Sequence, residues 1–329
     1  MKVLVTGASG FVGQWLCRDL IKRGFEVRAL VRELRPAGLN HDAPAGDFVI
    51  GDILEPSTLK SALKGIEIVF HLAGFIGYKK SDRAKLEQVN VNGTANVISA
   101  CKVSGCRRLV HFSSVATVGA SFNGHEPLNE NSPYNLADLN LGYFETKRRA
   151  ENLVIAACRS GEIDAVILNP SNIYGPGDAQ KGSRSTQLEV ARGKFPFYTS
   201  GGVSIVHIED VVAATIRASE VGKNGERYIL SGENIAIKKL FQMIAEAAGV
   251  KPPGMYLPNL AVLLLANLSE VFESIGRKGL VSSESARASI LYHWFDHAKA
   301  TKELNFHPRP AREAINESVE WMRNQGLLN

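Results

Sequence analysis

Cysteine is scarce in this chain of 329 residues, and the four that occur, Cys17, Cys101, Cys106 and Cys158, form no C-x-x-C pair. Cys101 and Cys106 are the nearest two, and no histidine or second cysteine pair stands at zinc-site spacing. That excludes a metal knuckle and a disulfide-stapled scaffold. The thiols read as reduced and mostly buried, as in a cytosolic protein, and no metal is expected. No apolar run reaches membrane-span length: "LAVLLLANL" (260–268) is about half of what a span needs, although it is apolar enough to touch a lipid surface. The chain passes from Met1 and Lys2 straight into a strand pattern, leaving no room for a signal peptide, so a cytoplasmic location is expected. Blocks of one charge are missing too. The 38 basic and 33 acidic residues are interspersed, which argues against a nucleic-acid tail, and the net charge of +5 suits an anionic small molecule.

What is present is alternation. Short β-branched runs at 2–7, 26–32, 47–52, 66–74, 107–114 and 164–170 alternate with helical patterns at 11–24, 56–64, 85–104 and 142–160. Strand–helix alternation of this length predicts a parallel sheet covered on both faces. The fold class expected is therefore α/β, a Rossmann-type doubly wound parallel sheet with a smaller, mostly helical C-terminal substrate lobe. After Pro170 a turn-rich loop, "YGPGDAQKGS" (174–183), breaks the pattern. Two later strands, near 203–208 and 226–232, are expected to return to the sheet. The domains read as 1–170 plus roughly 203–232 for the dinucleotide, and 171–202 plus 233–329 for the substrate.

"TGASGFVG" sets Gly7, Gly10 and Gly13 directly after the first strand and at the opening of the first helix. In that context the glycines serve a tight turn, a close backbone approach to pyrophosphate and a close helix–strand contact. The helix N-terminus offers free N–H groups and the positive end of its dipole to the phosphates. Gly7, Ser9, Gly10, Phe11, Val12 and Gly13 are thus candidate cofactor contacts. An acidic residue about 20 positions on would hold the ribose of NAD. This chain has Arg32 there, with Arg35 close by. Two guanidiniums can clasp a 2′-phosphate, so NADP(H) is favoured; a slip of register would bring Glu33 to the ribose and make NAD(H) the cofactor.

Tyr143 and Lys147 lie four apart on one helix face. The pair alone is equally consistent with an aromatic packed on a lysine stem. It has company, however. "HFSS" (111–114) ends a strand at the carboxyl edge of the sheet, where ligands of such sheets bind. "TGASGFVG", "GDILEPSTL" (51–59), "HLAG" (71–74), "NVNGTANV" (90–97), "HFSSVATVG", "YFETKRRAE" and "NPSNIYGPGD" (169–178) follow one another in family order. With them, nearly the whole chain resembles the short-chain dehydrogenase/reductase family in its extended branch.

The resemblance implies roles. Tyr143 is the proton donor to a ketone or the acceptor from an alcohol. Lys147 holds the nicotinamide ribose and lowers the phenol pKa, and Ser114 hydrogen-bonds the reacting oxygen, with Ser113 as the alternate. Asp52 and Ile53 would flank the adenine, while Leu72, Ala73 and Gly74 would line the cofactor path. Asn90 would support the lysine end, and Pro170 would pass beside the nicotinamide amide. Paired helices, 85–104 and 143–160, would form a homodimer contact through Leu86, Val89, Val97, Ile98, Phe144, Leu153, Val154 and Ile155.

The family holds several chemistries. Val115, Ala116 and Thr117 follow Ser114 where dehydratases resemble one another in an Asp-Glu pair, so dehydration is not expected. Ser204 and Ile205 stand where sugar-nucleotide epimerases often show an Arg-Asp-Phe run, and Asn169 where such members often have arginine. That leaves Arg184, Arg192 and Lys194 as basic residues for a nucleotide diphosphate. "NGERYILSGEN" (224–234) and "WFDHAKATKELNFHPRP" (294–310) resemble the dihydroflavonol reductase and 3β-hydroxysteroid dehydrogenase-like branch. Phe122, Tyr134, Phe195, Phe197, Tyr198 and the 260–268 helix would wall an apolar pocket. The leading expectation is an NADP(H)-dependent oxidoreductase interconverting a ketone and a secondary alcohol on a hydrophobic or ring-bearing substrate. The alternative is an NAD(P)-dependent sugar-nucleotide epimerase. A non-enzymatic nucleotide sensor would not need the Ser, Tyr and Lys. His71, His111, His207, His293 and His297 lie on different elements and read as satisfied structural residues.

Overall fold

The structure is a computed structural model that describes residues 1–33, 47–179, 185–274 and 282–328. Its strands are β1 (Lys2–Thr6), β2 (Glu26–Val31), β3 (Asp47–Ile50), β4 (Ile68–His71), β5 (Arg108–Phe112) and β6 (Ala165–Pro170), then β7 (Asn172–Tyr174), β8 (Phe197–Tyr198), β9 (Gly202–His207), β10 (Arg227–Leu230) and β11 (Glu233–Ala236). The first helices are α1 (Phe11–Lys22), α2 (Pro56–Ala62), α3 (Arg83–Leu86), α4 (Gly93–Ser104) and α5 (Gly142–Arg159).

Seven strands form one parallel sheet in the order β10-β6-β5-β4-β1-β2-β3. The strand order reverses direction between β1 and β4, and a crevice opens at such a switch point. The central strands read as unbroken apolar runs because both faces are covered: Val3, Leu4 and Val5 are all fully buried. α1 and the helix Ile208–Val221 cover one face around Leu16, Leu20, Val211 and Val212. α2, α4 and α5 cover the other around Leu59, Val97, Cys101 and Val154. Gly24 (φ +82°) and Gly105 (φ +65°) reverse the chain after α1 and α4, in a conformation that favours glycine.

Of the two later strands, β10 joins the sheet beside β6, whereas β9 does not. β9 pairs with β7, β11 and residues Tyr292–His293 in a second, four-stranded sheet. Tertiary pairing decides this, because a short buried strand has no local signal naming its partner. The helices Ile237–Ala248 and Ala311–Asn324 pack on that second sheet around Phe241, Ile244 and Ile315.

The helices proposed for dimer contact spend most of their apolar residues inside their own chain. Leu86, Val97, Ile98, Phe144 and Val154 are buried; Leu153, 37% exposed, and Val103, 72% exposed, remain outward. Among the described residues no helix is long and apolar enough to cross a membrane. Leu260, Leu263, Leu264, Leu265 and Leu268 of the helix Asn259–Ser274 are exposed.

Candidate active site

The glycine loop closes where β1 meets α1. Gly7 has φ +71°, and a Cβ there would lie 2.7 Å from the Ala73 amide nitrogen; one on Gly13 would lie 2.2 Å from the Gly7 carbonyl. Both positions therefore exclude a side chain. Gly10 donates its N–H to the Gly7 carbonyl (2.9 Å) and caps α1 with no side chain over the helix end. The first-turn N–H groups of α1 are left for an anion, and these residues fit a dinucleotide pyrophosphate. Phe11 and Val12 pack from α1 onto the core, Ser9 accepts from Gln14 Nε2 (3.3 Å), and the Trp15 indole donates to the Pro176 carbonyl (3.1 Å), tying α1 to the loop after β7.

The other sequence-predicted positions line the carboxyl edge of the same sheet. Arg32 and Glu33 are exposed at the tip of β2; Arg35 lies outside the described residues. Past β3, Asp52 accepts the Leu54 N–H (2.9 Å), and Ile53 is buried against Gly93. Leu72, Ala73 and Gly74 follow β4, with the Ala73 N–H on the Thr6 hydroxyl (3.2 Å). Pro170 ends β6. Asn90 sits in a single π-helical turn, Glu87–Asn92, between α3 and α4. It accepts from the Phe75 N–H (2.8 Å), donates to the Phe75 carbonyl (3.0 Å) and reaches Thr146 of α5 (3.3 Å). Such turns re-aim side chains at functional sites; the sequence pattern shows only continuous helix here.

Ser114, Tyr143 and Lys147 come together above β5. Ser114 Oγ accepts the Ala116 N–H (3.1 Å), capping the turn after the strand, and stands close enough to the Tyr143 phenol to act on its pKa. Ser113 faces elsewhere: its hydroxyl donates to Glu151 (2.6 Å). Lys147 is buried and donates from Nζ to the Phe112 carbonyl (2.8 Å). Burial lowers its pKa to about 8, with Glu151 acting upward.

The phenol departs from expectation. Burial holds the Tyr143 pKa well above the usual tyrosine value, Tyr78 adds to the rise, and the downward influence is the Ser114 hydrogen bond. Lys147 is not among the influences on the phenol here, and its ammonium is engaged at the Phe112 carbonyl. The ring of Tyr143 sits half-buried among Tyr78, Tyr134, Leu139, Phe144 and Leu291.

Several participants were invisible to pattern reading. Glu284, from the C-terminal part of the chain, accepts the Gly142 N–H (2.9 Å) and pairs with Arg83 (3.0 Å). Asn169 is no free amide ligand: its Nδ2 contacts Glu151 (2.6 Å), Thr117 (2.9 Å) and the Ser114 carbonyl (3.1 Å). His71 bonds Thr6 (2.8 Å) and Thr94 (3.1 Å). His111, beside it, has no partner on either ring nitrogen among the described residues, so it is not the satisfied histidine expected. His207, His293 and His297 do have partners, in Glu317, the Ala288 carbonyl and Thr301. Among the described residues no group of three or more His, Cys, Asp or Glu gathers at metal-binding distance.

The expected aromatic wall does not assemble as one surface. Phe195 packs on Phe197 and Phe241 in the second core, Tyr198 on Tyr256, and Phe122 is exposed; Tyr134 alone belongs to the Tyr143 cluster. These residues were grouped by composition, and their backbones diverge. Arg192 is spent on Glu189 (2.8 Å) and the Leu327 carbonyl (2.8 Å), and Arg184 lies outside the described residues.

Comparison with known proteins agrees with this geometry. Residues 3–231 match the NAD dependent epimerase/dehydratase family. A Synechocystis sp. protein provisionally named a dihydroflavonol 4-reductase is 32% identical, over 98% of this chain and 95% of its own. A 2-alkyl-3-oxoalkanoate reductase of Stenotrophomonas maltophilia is 32% identical over 76% of each chain. The crystal structure of gox2253 superposes with a TM-score of 0.87 at 36% identity, covering 99% of both chains. Glycine cradle, Ser-Tyr-Lys cluster and relatives converge: the chain belongs to the NAD dependent epimerase/dehydratase family, extended short-chain dehydrogenases/reductases, and is an NAD(P)-dependent enzyme.

Proposed function

We propose that the enzyme interconverts a ketone and a secondary alcohol on a hydrophobic or ring-bearing substrate, with NADP(H) as its preferred cofactor. The observation that carries this reading is the contact of Ser114 with the Tyr143 phenol inside an apolar cluster, beside the buried Lys147. The bound nicotinamide would supply or accept the hydride. Tyr143 would hand its proton to the carbonyl oxygen or take one from the alcohol, and Ser114 would donate a hydrogen bond to that same oxygen. Lys147 would turn its remaining N–H donors to the ribose, and the α1 N-terminus with Gly7, Ser9, Gly10, Phe11, Val12 and Gly13 would hold the pyrophosphate. Asp52 and Ile53 would flank the adenine, Leu72, Ala73, Gly74, Asn90 and Pro170 would line the path to the nicotinamide, and Arg32 would meet the 2′-phosphate.

Residues 1–170 with roughly 203–232 would bind the dinucleotide, and 171–202 with 233–329 the substrate. The relatives' names support the reductase reading, since one acts on a 2-alkyl-3-oxoalkanoate. We take the enzyme to be a cytoplasmic homodimer. The test is a substrate panel read by NADPH absorbance, with sterol-like ketones, flavonoid-like ketones, small aldehydes and UDP-sugars. Oxidation of NADPH by an apolar ketone is the expected result. Conversion of a UDP-sugar with no net change in NADPH would establish a sugar-nucleotide epimerase instead.

A further inference from the structure

Behind the Ser-Tyr-Lys cluster lies a buried carboxylate that the reaction itself does not use. Glu151 is 3% exposed and follows Lys147 by one helical turn on the same face of α5. Its Oε2 meets the Ser113 hydroxyl at 2.6 Å, the Asn169 amide at 2.6 Å and the Thr117 hydroxyl at 2.9 Å. Its Oε1 lies 2.9 Å from Arg227 Nε, off the hydrogen-bonding direction, so that contact is charge attraction. Three segments distant in sequence therefore converge on this carboxylate of α5: the end of β5 with the turn after it, β6 and β10. Two of the groups on Glu151 also hold Ser114: the Asn169 amide donates to the Ser114 carbonyl at 3.1 Å, and the single Thr117 hydroxyl proton is shared between that carbonyl and Glu151, each at 2.9 Å.

We propose that Glu151 is a positioning residue, which fixes Ser114 from behind through Ser113, Thr117 and Asn169 and anchors Lys147 from the next helical turn. The role rests on the oxidoreductase reading above. Burying a carboxylate is costly unless it is hydrogen-bonded and its charge is balanced; here Ser113, Thr117 and Asn169 hydrogen-bond Oε2, and the Arg227 guanidinium offsets the charge at Oε1. A carboxylate kept for packing alone would not need to stand beside the buried lysine. The groups facing Lys147 from the packed elements are Tyr143 and Glu151 on α5, His71 on β4 and His111 on β5, with Arg227 on β10 behind Glu151. Both histidines are held neutral by burial and by Lys147 itself. Glu151 is thus the group that favours the ammonium.

The experiment titrates Lys147 directly in the full chain, by the ¹³Cε shift of labelled lysine, with the resonance assigned by its loss in Lys147→Met. In Glu151→Gln the midpoint should fall by about one pH unit, and in Arg227→Gln it should rise, because the first removes a favourable charge and the second an unfavourable one. General loosening of the site would admit water and move both midpoints upward, so the opposite signs separate positioning from mere support. Should Glu151→Gln not fold, Glu151→Asp keeps the charge but retracts it, and a smaller fall is expected. An unchanged or raised midpoint in the glutamate variant overturns the proposal. Turnover on an apolar ketone is measured on the same samples. Its alkaline limb should move down with the midpoint, and the predicted shifts in the variants with no turnover in the wild type would overturn the oxidoreductase reading instead.

Discussion

Glu284 accepts the N–H of Gly142 at 2.9 Å, so a carboxylate 142 residues further along the chain caps the helix whose next residue is Tyr143. Arg83 holds the same carboxylate at 3.0 Å and bonds Asn140 Oδ1 at 2.9 Å. The C-terminal part of the chain thus sets the start of α5. Replacing Glu284 by Ala removes a helix cap, leaves the Gly142 N–H without its acceptor and strips Arg83 of its ion pair. The expected loss is ~1–2 kcal/mol of stability, with a fall in turnover beyond what stability explains. Thermal melts and kcat on the same preparations check this; unchanged kcat would mean that Tyr143 is placed without the cap.

Tyr143→Phe keeps the ring in its cluster and deletes the proton. Turnover should drop by ~10²–10⁴, the worth of a positioned acid–base group, with cofactor affinity nearly intact. A variant retaining more than half of wild-type kcat would remove Tyr143 from the reaction.

Arg32 stands exposed at the tip of β2, with Glu33 beside it. If Arg32 meets a 2′-phosphate, Arg32→Ala should weaken NADPH binding by roughly 1.5–3 kcal/mol and leave NADH unaffected. Equal wild-type affinities for the two cofactors would place Glu33 on the ribose.

The two neighbouring histidines make the fold sensitive to acid. His71 is held down to about 3 by burial and the nearby Lys147, and His111 lies well below its usual value for the same reasons and for its contact with His71. A depressed folded-state pKa means that the unfolded chain takes up more protons below about 6.5, the unfolded value. Stability should be full above that pH and fall as pH drops from there toward about 3. His111→Leu removes one buried group with no partner, and should flatten the acid slope while raising stability at pH 7 by ~1 kcal/mol. Melting curves across that range give the answer; a steep loss of stability at pH 7 would show that the ring is satisfied after all.

Light scattering at micromolar concentration should give about twice the 35.7 kDa chain mass. Since Leu153 and Val103 are the exposed apolar residues of α5 and α4, Leu153→Lys with Val103→Glu should halve it. A single-chain mass in the wild type would refute the homodimer.

The glycine loop, the strand–helix alternation and the Tyr143–Lys147 pair were legible because each is a local pattern. Glycine is demanded by a crowded turn, apolar runs by strands buried on both faces, and a four-residue spacing by one turn of helix. Local patterns do not say which side chains meet. That Ser114 and not Ser113 reaches Tyr143 follows from side chains alternating along extended backbone, and needs the position of α5 to be known. β9 left the main sheet because pairing is decided between distant segments. The same holds for Glu151, whose partners lie 18 to 76 positions away and meet only because tertiary packing brings the end of β5, β6 and the start of β10 beside α5. The four-residue spacing of Tyr143 and Lys147 was written in the sequence, while the upward pull of burial on the phenol pKa was not: spacing places side chains on one helix face, but burial sets the dielectric around them.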